Sequence, residues 1–377
     1  MIVRKLDIWH LKLAFLYPIR HNLVTHHGSE NLVVKVTADS PQPGYGEGVP
    51  RSFVTGETLP SSLAFLMGTL APAIVGKEFA SPPQLLEALT ELFRQTAGEQ
   101  HPGAFCALET ALLDTAGQAW DLPLQAFLGP KGDAPLVYSA VIPMGTPEMM
   151  AQFLQLVKKQ QMSFLKLKVG SREDLEYLRL AREILGWQVD IRVDANCAWS
   201  ATEAIQRLRE MQPYRISAVE QPVAKDDLEG LRAVGAEAGL PVIADESLCH
   251  EGDAQRLIDL KACQIFNIRL SKCGGLGAAA RIRRMAAAAG LRYQLGCHVG
   301  ETSILSAAGR HFALCAPAPA YLEGSFSPFL FAREPVAQSV IFGPAGAALP
   351  LPGPGLGIEV LEAALPDLAV AHFQLGG

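Results

Sequence analysis

Hydrophobic positions along this chain change period twice. Over residues 1–40 apolar and polar positions alternate, in IVRKLDIW, then LKLAFLYP, then ENLVVKVTAD. A period of two predicts an antiparallel meander of strands. The turn-rich, glycine-rich segment PQPGYGEGVP (41–50) follows. From about Thr58 to Trp120 the apolar spacing becomes three and four residues: LLEALTELF is amphipathic, and AFCALETALLDTAGQAW reads as a mostly buried helix. After a turn at Gly129–Asp133, short apolar runs alternate with amphipathic helices such as EDLEYLRLAREILG and ATEAIQRLREMQ. The runs are LVYSAVIP, FLKLKV, DIRVD, ISAVE, PVIAD, CQIFNIRL, RYQLG and AYLEG. Strands alternating with helices of about 10–15 residues predict βαβ units and a parallel sheet. Eight of them favour closure into a barrel over an open doubly wound sheet. The first is not followed by GxGxxG, which leaves a dinucleotide fold without support. The tail from about Ala332, with FGPAGAALPLPGPGLGIEV, is too apolar for a linker and is expected to pack back onto the N-terminal region.

Composition narrows this picture. A length of 377 residues and 49% hydrophobic content suit a large packed core. Net charge is only −6, with no basic run, so nucleic acid is not an expected partner. No run of ~18 uninterrupted apolar residues predicts a membrane span, and MIVRKLDIWHLKLAF lacks the apolar core of a signal peptide. The seven cysteines form no CxxC pair and are scattered, which suits reduced thiols in a cytoplasmic protein.

Chemistry enters through register. Lys168, Asp194, Glu220, Asp245 and Lys272 lie near the ends of five consecutive runs, at intervals of 26, 26, 25 and 27 residues. A (β/α)8 barrel repeats on this scale, ~31 residues per strand and helix, and gathers its strand ends at one mouth. The spacing therefore predicts three adjacent carboxylates, Asp194, Glu220 and Asp245, flanked by amines. An all-oxygen set without histidine suits Mg²⁺, with Mn²⁺ as the alternative ion, and argues against zinc. Asn196 would orient Asp194, and Glu246 would support the set by hydrogen bonding. Lys166 and Lys168, two apart, share one strand face, so each disfavours protonation of the other. Lys168, nearer the mouth, is the expected base, Lys166 its tuner, and Lys272 the amine across the barrel. Such a site fits abstraction of the proton next to a metal-bound carboxylate and stabilisation of the enediolate. A second lysine that returns a proton to the other face gives epimerisation; one that stands as a cation gives elimination or cycloisomerisation.

The pieces LKLKVG, RVDAN, VEQP, IADES and NIRLSKCGGL resemble the enolase superfamily, in its muconate lactonizing enzyme subgroup. The resemblance spans essentially the whole chain. It implies an α+β capping domain (1–130), a modified (β/α)7β barrel (131–325) and a C-terminal tail packed on the cap (326–377). By position it implies Lys166 and Lys168 as the base pair, Asp194, Glu220 and Asp245 as Mg²⁺ ligands, and Lys272 as the opposite lysine. GYGEGVPRSFVTGET is most similar to dipeptide epimerases of the L-Ala-D/L-Glu type, with capping loops at about Tyr17–Glu30 and Arg51–Gly56 covering the mouth. The implied substrate is a small carboxylate, a dipeptide or N-acyl amino acid. The alternatives are a cycloisomerase or lyase of the o-succinylbenzoate synthase or muconate cycloisomerase type, and more remotely a non-catalytic binding protein. A homo-oligomer is expected. Where such epimerases carry an Asp-x-Asp pair for the substrate ammonium, this chain has Leu322-Glu323-Gly324-Ser325, leaving Glu323 alone. Glu301 and His298, in GCHVGET, are further substrate-contact candidates, His298 alternatively structural. Arg51 is a candidate partner for a distal carboxylate, and His26 and His27 lie on the first capping loop.

Overall fold

A computed structural model describes residues 1–377. Its N-terminal sheet has four antiparallel strands in the order Ala369–Gly376, Val3–Arg20, Thr25–Ala38, Gly44–Gly48. The two N-terminal runs expected as separate strands are one strand of 18 residues. Its alternation continues through LKLAFLYP with no turn residue before Pro18, so nothing ends it. The last strand pairs along the first, from Lys5↔Gly376 to Leu11↔Ala369, which brings the tail back onto the N-terminal sheet.

Helix Pro102–Trp120 lies against this sheet, and 16 of its 19 residues are buried, as its near-continuous apolar sequence demands. Strand Gly44–Gly48 packs onto it through alternate glycines. A Cβ at Gly46 would stand 2.1 Å from Ala107 O, and one at Gly48 1.9 Å from Gly103 O. Only glycine allows that approach. Glu47 faces the other way and is fully buried. It accepts from Asn31 Nδ2 (2.6 Å), Thr302 N (2.9 Å), Thr302 Oγ1 (2.7 Å) and Leu305 N (2.9 Å). A carboxylate at the start of helix Ser303–Ala313 meets otherwise unpaired N–H groups and the positive end of the helix dipole. This contact fastens the N-terminal sheet to the second half of the chain.

From Ala140 onward, eight strands form one parallel sheet in chain order, ending at Tyr321–Leu322. The sheet closes: Tyr138 pairs with Leu322, and Ser139 N donates to Leu322 O at 2.8 Å. The first run is split, however. Leu136–Val137 pairs antiparallel with Ala347–Ala348 of the tail, and only Ala140–Ile142 joins the barrel. Five of the seven intervening α-helices start at side-chain caps, Thr146, Ser200 and Asp227 among them. Most bury one stripe, as in Ala201–Met211, where Ala204, Ile205, Leu208 and Met211 are buried, whereas Ser303–Ala313 is buried almost all round. No helix is long and apolar enough to cross a membrane.

Candidate active site

Strand Phe164–Lys168 turns Lys166 and Lys168 to its inner face, as two-residue periodicity requires. Lys166 Nζ lies 2.9 Å from Asp194 Oδ2, 2.8 Å from Glu220 Oε1 and 3.1 Å from Glu323 Oε1. Lys168 Nζ lies 2.6 Å from the same Asp194 oxygen and 2.8 Å from Asn196 Oδ1. Two ammonium groups thus meet on one carboxylate oxygen. Burial alone would lower the Lys166 pKa, but Asp194, Glu220 and Glu323 outweigh it and hold the group above its ordinary range. Burial likewise opposes ionisation of Asp194, yet Lys166 and Lys168 keep it well below the usual carboxylate range. These carboxylates thus hold Lys166 as a cation beside Lys168.

The other two carboxylates follow on the next strand ends, both without exposure. Glu220 accepts from Lys166, from Asn267 Nδ2 at 2.8 Å and from Gln294 Nε2 at 2.9 Å. Asp245 pairs with Arg269, and accepts from Lys272 Nζ at 2.8 Å. The turn after strand Val219–Glu220 is strained, with Gln221 at φ +36°, a conformation costing about 1–3 kcal/mol. Its side chain holds the turn in place. Oε1 accepts from Asp245 N (3.0 Å) and Ser247 N (3.2 Å), while Nε2 donates to Val223 O (3.0 Å) and Ser247 Oγ (2.8 Å). Asn196 joins Lys168 to Glu246 by donating to Glu246 Oε1 at 3.0 Å. The other Glu246 oxygen is buried without a partner, and burial followed by the neighbouring Asp194 charge raises this carboxyl.

A cavity of about 260 Å³ opens over these strand ends. Lys166, Lys168, Glu246, Arg269, Glu301 and Glu323 form part of its polar lining. Tyr17, Phe153, Leu156, Phe326, Phe329 and Phe342 contribute an apolar part. Lys272 is not in the lining: it is unexposed, and its ammonium donates to Asp245 O (2.6 Å), Asp245 Oδ1 (2.8 Å) and Asn267 O (2.9 Å). Glu323 does line the cavity but is engaged from beneath. Its Oε1 accepts from Arg192 Nη2 at 2.6 Å, and Lys166 and Arg192 overcome the effect of burial to push its pKa down to about 2. Glu301 accepts from His298 N at 2.6 Å, and burial pushes it up to about 8. The His298 ring lines the cavity, and burial, then Arg269 and Arg51, holds it well below its ordinary pKa, a neutral imidazole. Arg51 also lines the cavity, but its guanidinium already donates to Pro50 O (3.0 Å), Ser29 Oγ (2.8 Å) and Val299 O (2.9 Å). His26 lines the cavity; His27 is exposed and does not.

Four residues here were not singled out from sequence: Arg192, Arg269, His21 and Asn22. Period-two parity exposes the first two. Arg192 precedes Asp194 by two, as Lys166 precedes Lys168, and Arg269 follows the inward-facing Asn267 by two. His21 and Asn22 carried no such signal, because a loop has no period. His21 Nε2 lies 3.2 Å from His26 Nε2 over the mouth. Asn22 Nδ2 donates to Val169 O (2.6 Å) and Ala195 O (2.7 Å), tying the loop to the ends of two barrel strands. Asn22→Ala should raise KM about 5- to 30-fold, as expected from losing two hydrogen bonds worth ~0.5–1 kcal/mol each, with little change in Tm. Initial rates at varied substrate, alongside a melting curve, check this.

The donor set suits a hard divalent cation: three buried carboxylates on adjacent strand ends, no imidazole among them, and an unpartnered Glu246 oxygen close by. As they stand, these side chains are turned onto amines and guanidinium, and no three acidic, His or Cys groups are gathered to hold an ion. The Arg269 guanidinium, on Asp245 and 3.8 Å from Glu220 Oε1, supplies positive charge between two of the carboxylates.

Residues 148–364 match the enolase C-terminal domain-like family. A D-Ala-D/L-Ala epimerase of Cytophaga hutchinsonii is 32% identical over 353 residues, covering 91% of each chain. Among solved structures, the N-succinyl Arg/Lys racemase of Bacillus cereus superposes with a TM-score of 0.90 at 28% identity, over 100% of both chains. A dipeptide epimerase of Cytophaga hutchinsonii, complexed with Mg and D-Ala-L-Val, gives the same values. Muconate lactonizing enzyme of Pseudomonas putida gives 0.86 at 25% identity, over 98% of this chain and 100% of that one.

Proposed function

This chain belongs to the enolase superfamily, in its muconate lactonizing enzyme subgroup, and on that premise we propose a Mg²⁺-dependent isomerase that removes the proton α to a carboxylate. Its substrate is a dipeptide or an N-acyl amino acid, which it epimerises, in keeping with relatives named for those substrates. The observation that carries the reading is Lys168, the more exposed of the two amines that line the cavity and abut the carboxylate series. Asp194, Glu220 and Asp245 would hold Mg²⁺, or Mn²⁺ in its place, which when bound supplies Lewis-acid polarisation of the substrate carboxylate.

The remaining steps belong to the chain's own residues. Asp194 and Asn196 aim the Lys168 amine from below. In its neutral form that amine takes the α-proton: the C–H bond breaks, an N–H bond forms, and the electron pair passes onto the substrate carboxyl group as an enediolate. The capping loop, held by Asn22, excludes water, and the apolar wall receives the part of the substrate distant from the reacting carbon. Cycloisomerisation or elimination is the second reading, favoured by the guanidinium in the cavity wall. We place the protein in the cytoplasm, given seven unpaired thiols, and expect a homo-oligomer.

Deuterium uptake from heavy water across a library of dipeptides and N-acyl amino acids, followed by mass spectrometry, tests the proposal. Uptake at the α-carbon should fall at least 100-fold in EDTA and return with Mg²⁺. Uptake indifferent to EDTA, or absent from every member, would remove it.

A further inference from the structure

The group that faces Lys168 across the mouth decides how protons leave and return. Barrel strands Phe164–Lys168 and Ile265–Ile268 are four places apart in an eight-stranded closed sheet, so their ends oppose each other. Parity on the second strand turns Asn267 inward onto Glu220, and Arg269, the first residue past the strand's end, keeps that parity and lines the cavity. Lys272 comes after the strand has ended. All three N–H donors of its ammonium are engaged below the cavity floor, and it has no exposure. Arg269 lines the cavity, 9% exposed, and its Nε is buried without a partner. Its Nη2 is engaged by Asp245, which leaves Nη1 as unused donor capacity at the wall opposite the base.

We infer that Arg269, not Lys272, is the second cation of the reaction, and that it anchors anionic charge without carrying a proton. A guanidinium has five N–H donors, no acceptor, and keeps its charge throughout the working range. It can bind the substrate carboxylate and the negative charge that grows there. It cannot take a proton from the α-carbon. Proton traffic then runs through Lys168 Nζ alone: the proton lost to that nitrogen returns from it to the same face of the enediolate, after exchange with solvent. Exchange with retention is fast for the antipode whose α-hydrogen faces Lys168; inversion, the epimerisation proposed above, then takes its proton from solvent water at the far face and is the slower outcome. This rests on the function proposed above and refines its stereochemistry.

The test uses the Mg²⁺-loaded full-length protein with both antipodes at the carboxyl-terminal carbon of Ala-Leu, and with N-acetyl-L- and N-acetyl-D-leucine. Deuterium uptake is read by mass spectrometry and inversion by chiral chromatography. One antipode should exchange at least 100-fold faster than it inverts. Arg269→Lys, which places an amine on the far wall, should raise inversion relative to exchange at least 10-fold. Lys272→Gln should lower Tm yet leave the exchange-to-inversion ratio of the folded protein unchanged. Calorimetric titration with N-acetyl-leucine gives a readout apart from turnover: Arg269→Ala should weaken binding at least 10-fold, and Lys272→Gln should not. Equal rates of exchange and inversion in both antipodes, or a ratio that follows Lys272 rather than Arg269, would overturn the inference. Absence of exchange in all four compounds would instead count against the proposed function, and the titration would then decide whether Arg269 is the anion anchor.

Discussion

Replacing Lys168 by alanine should lower α-proton exchange by about 10²–10⁴-fold, the usual contribution of a positioned general base, while the protein stays folded. Asp194 is the residue most exposed to the change, and its Oδ2 keeps Lys166 at 2.9 Å, so it does not become an unpaired buried charge. Lys168 itself stands at the cavity wall, where the alanine void fills with water. Tm should therefore move by only a few degrees. Lys168→Arg separates the two roles of the amine. It keeps a cation beside Asp194 but offers no lone pair, so exchange should fall nearly as far as in Lys168→Ala while Tm stays closer to that of the wild type. Exchange rates and melting curves on the three proteins decide the matter. If Lys168→Ala retained more than a tenth of the activity, Lys168 would not be the base.

How much of this was legible in the sequence follows from which features have a period. The barrel strands were legible because strand and helix alternate on a fixed scale, and the structure places each run where the alternation puts it, the split first run apart. Asp194 and Glu220 end their strands, and Asp245 follows its strand directly. That Lys272 lies outside the cavity lining while Arg269 lies in it has a simple cause. Counting intervals of 25–27 residues tolerates an error of a few positions, whereas the direction of a side chain reverses with each single residue. Parity from Asn267 selects position 269; the interval count selects 272 almost as well. Glu323 shows a different limit. Its place at the mouth was legible, but its partners Arg192 and Lys166 lie 131 and 157 residues away in sequence, and no local pattern reports such a pairing. The capping loop is legible only as a loop, since the hydrogen bonds of Asn22 go to backbone carbonyls of Val169 and Ala195, which any residue there would present.

Glu323→Leu should destabilise the fold by about 3–5 kcal/mol, the range for breaking a buried ion pair by removing one partner. Glu323 is 6% exposed and neutralises Arg192, which has no exposure at all. Without it, Arg192 keeps Ser139 Oγ at 3.1 Å and the Tyr321 ring at 4.3 Å, but no carboxylate. Lys166 suffers less, because Asp194 and Glu220 remain. Exchanging both partners for apolar residues, Glu323→Leu with Arg192→Leu, should recover much of the loss, since a buried pair replaced as a whole is often near neutral. The dependence on pH has a definite sign. A carboxylate depressed to about 2 in the folded state, against ~4.3 when unfolded, stabilises the fold fully above the higher value. That stabilisation is lost as pH falls through the lower one. The Tm gap between wild type and Glu323→Leu should therefore be constant near neutrality and narrow below about pH 4.3. Substrate kinetics separate this role from a contact to a substrate ammonium. A structural pair predicts parallel losses for Ala-Leu and N-acetyl-leucine in the folded fraction. A rise in KM confined to the free dipeptide would make Glu323 the ammonium partner after all, and the depression of its pKa a consequence of neighbours that the substrate then displaces.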